Sequence, residues 1–238
     1  AIQENNRLYF SSFLENHDFT HKLSDPKVAD LRDADLSSLL NLIKNNFKKK
    51  IPLVNVIKSA YGSAKTTAVV PKVIEAMQSV IKEPLVVLYI STLRSIIRGT
   101  CEELQFACYI SEGNIIDEVQ IVTAEKLGMG LLSLQHYTRK APHLLIVDES
   151  EQAGMWAEWD NRNHNRLVDL IASTPITILQ DADAADMTYS MVSRAVGKSD
   201  TETCLLHNSE SWIHIQNQKL VLVQKEIQVY EEIVERVA

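Results

Sequence analysis

Short, nearly unbroken apolar runs alternate along this chain with longer stretches whose apolar positions recur every three or four residues. The runs cover residues 53–57, 85–90, 144–147 and 176–179, and each stands just after a proline: Pro52, Pro84, Pro142 and Pro175. Proline is tolerated at the first residue of a strand, and continuous rather than alternating apolarity marks a strand covered on both faces. Residues 119–123 and 203–206 are two further strand candidates. Between them, residues 66–81 place Val69, Val70, Val73, Ile74, Met77 and Ile81 at helical intervals, and residues 92–104 and 152–171 do the same. Strand followed by helix, repeated at least four times, predicts an α/β fold with a parallel sheet flanked by helices. Residues 1–50 read as a polar, helical lead-in whose Leu36, Leu39, Leu40, Leu42 and Ile43 form one apolar face. Pro71 falls inside the predicted helix 66–81, which predicts a local distortion there. Residues 212–216 and 220–223 read as short strands and 227–237 as a helix.

Composition narrows the class. The chain has 238 residues, 45% hydrophobic and 23% charged, with only 7 Gly and 6 Pro, as ordinary globular domains do. Disordered and low-complexity classes are excluded, and no stretch approaches the ~18 consecutive apolar residues of a membrane span. The first residues lack the basic-then-apolar pattern of a secretory signal. Three cysteines, Cys101, Cys108 and Cys204, are too few for a disulfide framework, so a reducing, cytoplasmic setting is the expectation. The formal net charge of −7 argues against a globally basic nucleic-acid surface. Lys48, Lys49 and Lys50, the one compact basic run, read as a solvated helix end.

Two patterns carry chemistry. After the first strand come Ser59, Ala60, Tyr61, Gly62, Ser63, Ala64, Lys65, Thr66 and Thr67, and then a helix. A small-residue loop and a Lys-Thr pair between strand and helix fit a phosphate-binding P-loop. Backbone N–H groups of Gly62, Ser63, Ala64, Lys65, Thr66 and Thr67 then receive phosphate oxygens, the lysine lies near the β- and γ-phosphates, and the Thr66 hydroxyl can ligate Mg²⁺. The motif is imperfect, with Ser59 and Ala64 where glycines are usual. The second pattern is the run from Leu144 to Val147 leading straight into Asp148, Glu149, Ser150 and Glu151. In a nucleotide hydrolase the first acid holds Mg²⁺ and the second activates water. The two patterns are expected to face one another across neighbouring strand tips and share one magnesium-bound ATP. A third strand ends in Asp181, Ala182 and Asp183, so this sheet edge is acidic enough to call for a divalent metal.

In their order, these residues resemble the first motor domain of superfamily 2 helicases, with a RecA-like P-loop NTPase fold. The segments beginning at Gly62, Ile90, Val122, Val147 and Leu179 carry the likeness. It is similar, more narrowly, to the origin-of-replication-binding helicases of herpesviruses and the DEAD-like replicative helicases of plasmids and phages, on the strength of Asp181-Ala182-Asp183. The resemblance covers about residues 50–190. It implies Lys65 and Thr66 at the phosphates and Mg²⁺, Asp148 on the metal, and Glu149 as the base. It further implies that Asp181 and Asp183 couple nucleotide state to DNA, with Arg94, Arg98, Thr123 and Glu125 contacting nucleic acid. The implied partners are single-stranded or forked DNA and a second motor domain in the same polypeptide, with no membrane. On this reading residues 51–210 are the ATP-binding domain and 211–238 the start of a link into that second domain, whose absence would leave the isolated domain weakly active or inactive.

Two other readings remain open from sequence. A degenerate P-loop can persist as a pseudo-ATPase that binds nucleic acid or protein, for which Ser59 and Ala64 speak. A phage terminase-type ATPase is the other, although no arginine-rich approach to the loop is present. Trp156 and Trp159 read as packing residues, His207 and His214 as structural.

Overall fold

The computed structural model describes residues 17–109, 123–159 and 161–209. Its centre is an eight-stranded sheet, β1 His21–Lys22, β2 Leu53–Ser59, β3 Val87–Ser91, β4 Ala107–Tyr109, β5 Lys126–Gly130, β6 Leu144–Asp148, β7 Ile176–Asp181 and β8 Glu202–Asn208. The spatial order is β1-β8-β2-β7-β6-β3-β5-β4, and every pairing is parallel. The helices are α1 Ser37–Lys49, α2 Val70–Gln78, α3 Arg94–Leu104, α4 Ser150–Trp159, α5 Asn161–Ser173 and α6 Asp186–Val196. None among the described residues is long and apolar enough to cross a membrane.

Alternation along the strands divides the core in two. Leu53, Ile57, Val87, Tyr89, Leu144, Ile146, Ile176 and Ile178 meet α1, α2 and α3 through Ile43, Val73, Met77 and Ile97. Val54, Val56, Leu88, Ile90, Leu145, Val147 and Leu179 meet α4, α5 and α6 through Ala153, Leu167, Ile171 and Met191. Both faces are covered, which is why the central strands read as continuous apolar runs.

The proline-bounded runs form β2, β3, β6 and β7, and residues 203–206 lie within β8. The expectation at 119–123 falls mostly outside the described residues, and the strand in that region is β5. Its sequence, Lys-Leu-Gly-Met-Gly, carries little strand signal. Gly128 is there for packing: a Cβ would stand 2.3 Å from the Cys101 sulfur. The stretch 152–171 is two helices, α4 and α5. In the lead-in, α1 packs its Leu39 and Ile43 on the sheet, but residues 17–36 are irregular apart from β1. Their polar groups are spent on β8 instead: Val28 N–H donates to Asn208 Oδ1 (3.2 Å) and Asn208 Nδ2 to Val28 O (2.7 Å). Pro71 does distort its helix. Lys65–Val69 form a π turn directly before α2, because proline offers no N–H and its ring excludes the carbonyl four residues back. The elements expected at 212–237 lie outside the described residues.

Candidate functional site

All strands run the same way, so β2, β3, β6 and β7 end at one edge, where open α/β sheets bind ligands. The loop after β2 is built on two left-handed residues, Gly62 (φ 73°) and Ala64 (φ 60°). The first suits glycine. The second holds an alanine in a region that costs an L-residue about 1 kcal/mol. Behind the loop runs a chain of hydrogen bonds: Asn208 Nδ2 donates to Ser59 Oγ (3.1 Å), Ser59 Oγ to Ser63 Oγ (2.8 Å), and Ser63 Oγ to Ala60 O (2.7 Å). The serine hydroxyls thus brace the loop from within. Lys65 is turned inward, its Nζ donating to Ser59 O (2.6 Å) and Ala60 O (2.9 Å), and only 8% of the residue is exposed. Burial pushes its pKa down, opposed by the nearby carboxylates of Asp148, Glu149, Asp181 and Asp183.

Thr66 joins this loop to the acidic strand. Its Oγ1 donates to Asp148 Oδ2 (3.2 Å) and accepts from Gln180 Nε2 (2.7 Å). Asp148 Oδ2 also accepts from the Tyr89 hydroxyl at 2.6 Å. The two tips are not neighbours as the sequence reading expected. β7 lies between β2 and β6, with Asp181 paired to Lys58 and Gln180 to Asp148. Gln180, fully buried, bridges the gap, and its Oε1 has no hydrogen-bond partner. Its amide nitrogen is taken by the Thr66 hydroxyl, so the amide oxygen is left to be satisfied by a water or a ligand.

Glu149 follows Asp148 with a left-handed backbone (φ 53°) and half-buried side chain. Burial, then Asp181 and Asp148, raise its carboxyl pKa from 4.5 to about 7. The Tyr61 hydroxyl stands 3.4 Å from both Glu149 Oε2 and Asp183 Oδ2, and its ring centroid is 5.6 Å from Lys65 Nζ. On the other face of β7, Asp181 is 2% exposed and accepts from Glu151 N (2.8 Å) and Asp183 N (2.9 Å), while burial raises its pKa. The Glu151 carboxylate caps α6, accepting from Ala185 N (2.9 Å), Met187 N (3.1 Å) and Thr188 N (2.9 Å).

Gly62, Ser63, Ala64, Lys65, Thr66, Thr67, Asp148, Glu149, Asp181 and Asp183 therefore share this edge. Arg94 opens α3 just after β3, beside a recess lined by Thr92, Tyr109, Gly130, Leu132 and Ser133, and Arg98 is exposed one turn further on. Thr123 and Glu125 are not brought to this edge. They precede β5, and Glu125 O accepts from Val87 N at the opposite end of the sheet. Tyr61, Tyr89, Gln180 and Glu151 belong to the site or its frame and were not assigned from sequence. Tyr89 is the only polar-tipped residue of its apolar run, a signal that was available.

Among the described residues no group of three or more His, Cys, Asp or Glu forms a metal site. Thr66 and Asp148 offer a hydroxyl and one carboxylate, the hard, sparse donor set of a Mg²⁺ that keeps most of its waters. No protein-family model matches the sequence, and no curated protein matches it. Among solved structures, the C-terminal domain of a possible DNA helicase from Lactobacillus plantarum WCFS1 is similar at 11% identity and a TM-score of 0.36, over 68% of this chain and 94% of that one. So loose a likeness bears on neither fold nor function, which rest on the chain's own geometry.

Proposed function

We propose that this chain is the ATP-binding motor domain of a DNA helicase, with a RecA-like P-loop core and Mg²⁺ as cofactor. One observation carries the reading: the hydrogen bond from Thr66 to Asp148, which ties a Lys-Thr loop to an acidic strand tip across an intervening strand. The orphaned Gln180 Oε1 beside it supports a ligand at the same point.

The backbone N–H groups from Gly62 to Thr67 bind the phosphate chain, that of Ser63 leaving Ala60 O to do so, and the Lys65 ammonium leaves its two loop carbonyls to neutralise the β- and γ-phosphates. Thr66 and Asp148 would hold Mg²⁺, which when bound supplies charge neutralisation at the phosphate oxygens. Glu149 accepts the proton of the attacking water at its carboxylate, and a pKa near neutrality suits a general base. Asp181 and Asp183 link the site, through Glu151 and α6, to nucleic acid. Arg94 and Arg98 supply phosphate contacts to single-stranded or forked DNA, and a second motor domain in the same polypeptide completes the catalytic site.

A pseudo-ATPase that only binds partners is favoured by two features, Ala64 in a left-handed conformation and Lys65 held inward. The readings separate by titration of a fluorescent ATP analogue with and without Mg²⁺, on the wild type and Lys65→Ala. Magnesium-dependent binding lost in Lys65→Ala supports the motor; no binding by the wild type supports the pseudo-ATPase. Hydrolysis is then measured with single-stranded DNA in a polypeptide that includes the second motor domain. Turnover insensitive to Glu149→Gln removes Glu149 as base.

A further inference from the structure

The Tyr61 side chain occupies the space between the loop and the acids, and nothing in the nucleotide reading uses it. Its hydroxyl lies 3.4 Å from one oxygen of Glu149 and 3.4 Å from one oxygen of Asp183, residues contributed by two different strand tips. Its ring lies over the Lys65 ammonium, 5.6 Å from centroid to Nζ, and Ser59 O and Ala60 O accept from the same ammonium. Lys65 is 8% exposed, whereas Tyr61 itself is 44% exposed. A ligand anion reaches Lys65 only when the ring swings aside or the lysine extends past it.

The chain around Tyr61 permits that motion. Gly62 follows it at a φ of 73°, and a Cβ placed on Gly62 would meet nothing within 4 Å. The hinge side of the loop is therefore open, whereas Ser59 and Ser63 brace the rest by hydrogen bonds. The bonds that hold the tyrosine down are few and long. One hydroxyl hydrogen serves one carboxylate at a time, and a separation of 3.4 Å is longer than the roughly 2.5–3.0 Å of an ordinary O–H···O hydrogen bond.

We propose that Tyr61 is a lid on the phosphate site: its hydroxyl, latched between Glu149 and Asp183, and its ring, stacked over Lys65, keep the loop closed until a triphosphate displaces them. This rests on the nucleotide reading above and adds to it a closed resting state. A ligand that binds only the open form binds with an affinity reduced by the open fraction, so loosening the latch speeds and tightens binding. Tyr61→Phe removes the latch and keeps the ring. Tyr61→Ala removes both.

The experiment is stopped-flow association of a fluorescent ATP analogue with Mg²⁺, on the full chain carrying Tyr61→Phe or Tyr61→Ala, with melting temperature recorded for each. The expected result is an association rate about three- to tenfold higher in Tyr61→Phe and higher again in Tyr61→Ala, with the melting temperature of Tyr61→Phe lowered by no more than about 5 °C. Association unchanged or slowed in both variants, with wild-type binding intact, overturns the lid and leaves the nucleotide reading standing. No binding by the wild type or either variant overturns both.

Discussion

The two sides of the strand tips are built to different standards of completion. Toward α2 and α3, Thr66, Asp148, Tyr89 and Gln180 form a chain of hydrogen bonds that stops short: Gln180 Oε1 and, two strands away on β3, Ser91 Oγ are buried without partners. Toward α4 and α6, Asp181 and Glu151 between them accept five backbone N–H bonds. Such saturation fixes a joint. Incompleteness leaves room for something to arrive. The same sheet edge thus carries the candidate site and, behind it, the frame that holds those residues in place.

The largest test of this division is kinetic. Glu149→Gln is expected to lower DNA-stimulated hydrolysis by about 10²–10⁴, since a positioned general base is worth that much, while nucleotide affinity holds and the melting temperature at neutral pH stays level or rises. The mirror experiment is Glu151→Ala, which leaves three N–H groups of α6 without their acceptor. It should cost about 2–3 kcal/mol, a fall of about 4–12 °C in melting temperature, with affinity for an ATP analogue retained. A variant that melts normally but fails to bind would move Glu151 from frame to site. Smaller still is Gly154→Ala. Its Cβ would lie 2.9 Å from Met187 Cβ, so α4 and α6 must part slightly. After the gain in helix propensity, a net loss of about 1 kcal/mol is expected, read as a fall of about 2–4 °C with unchanged binding.

The finest distinction is one of pH. The folded protein raises the Glu149 pKa from 4.5 to about 7, so between those values it holds a proton that the unfolded chain has released. Stability of the ligand-free protein therefore declines across that window as pH rises, and levels off above it. Thermal melts at stepped pH should show the decline, and Glu149→Gln should flatten it. An equal slope in the variant assigns the effect to other groups.

Much of the site side was readable along the chain because its chemistry is local. Lys65 with Thr66, and Asp148 with Glu149, each sit where a buried strand gives way to a turn, and proline marks where each strand begins. What escaped was what only the third dimension joins. Glu151 caps a helix more than thirty residues downstream, and Gln180 matters because β7 intervenes between two strands expected to touch. β5 escaped for another reason: the glycine that makes room for Cys101 also erases the strand's signature. Thr123 and Glu125 were assigned on motif order, and order along a chain says nothing of which end of a strand a residue meets.

The strand order has a consequence for how the protein is made. β2 leaves the ribosome well before both of its neighbours, β7 and β8, which lie more than a hundred positions further along the chain. Asn55 reaches the carbonyl of Thr177 across 122 positions, and Ser59 receives the Asn208 amide across 149. During synthesis a strand with every residue destined for burial waits with both edges bare. Such non-local closure makes folding slow and leaves a sticky segment exposed while it lasts. Chaperone capture of nascent chains should accordingly concentrate on the segment around Leu53–Ser59 and end only once β7 and β8 have emerged.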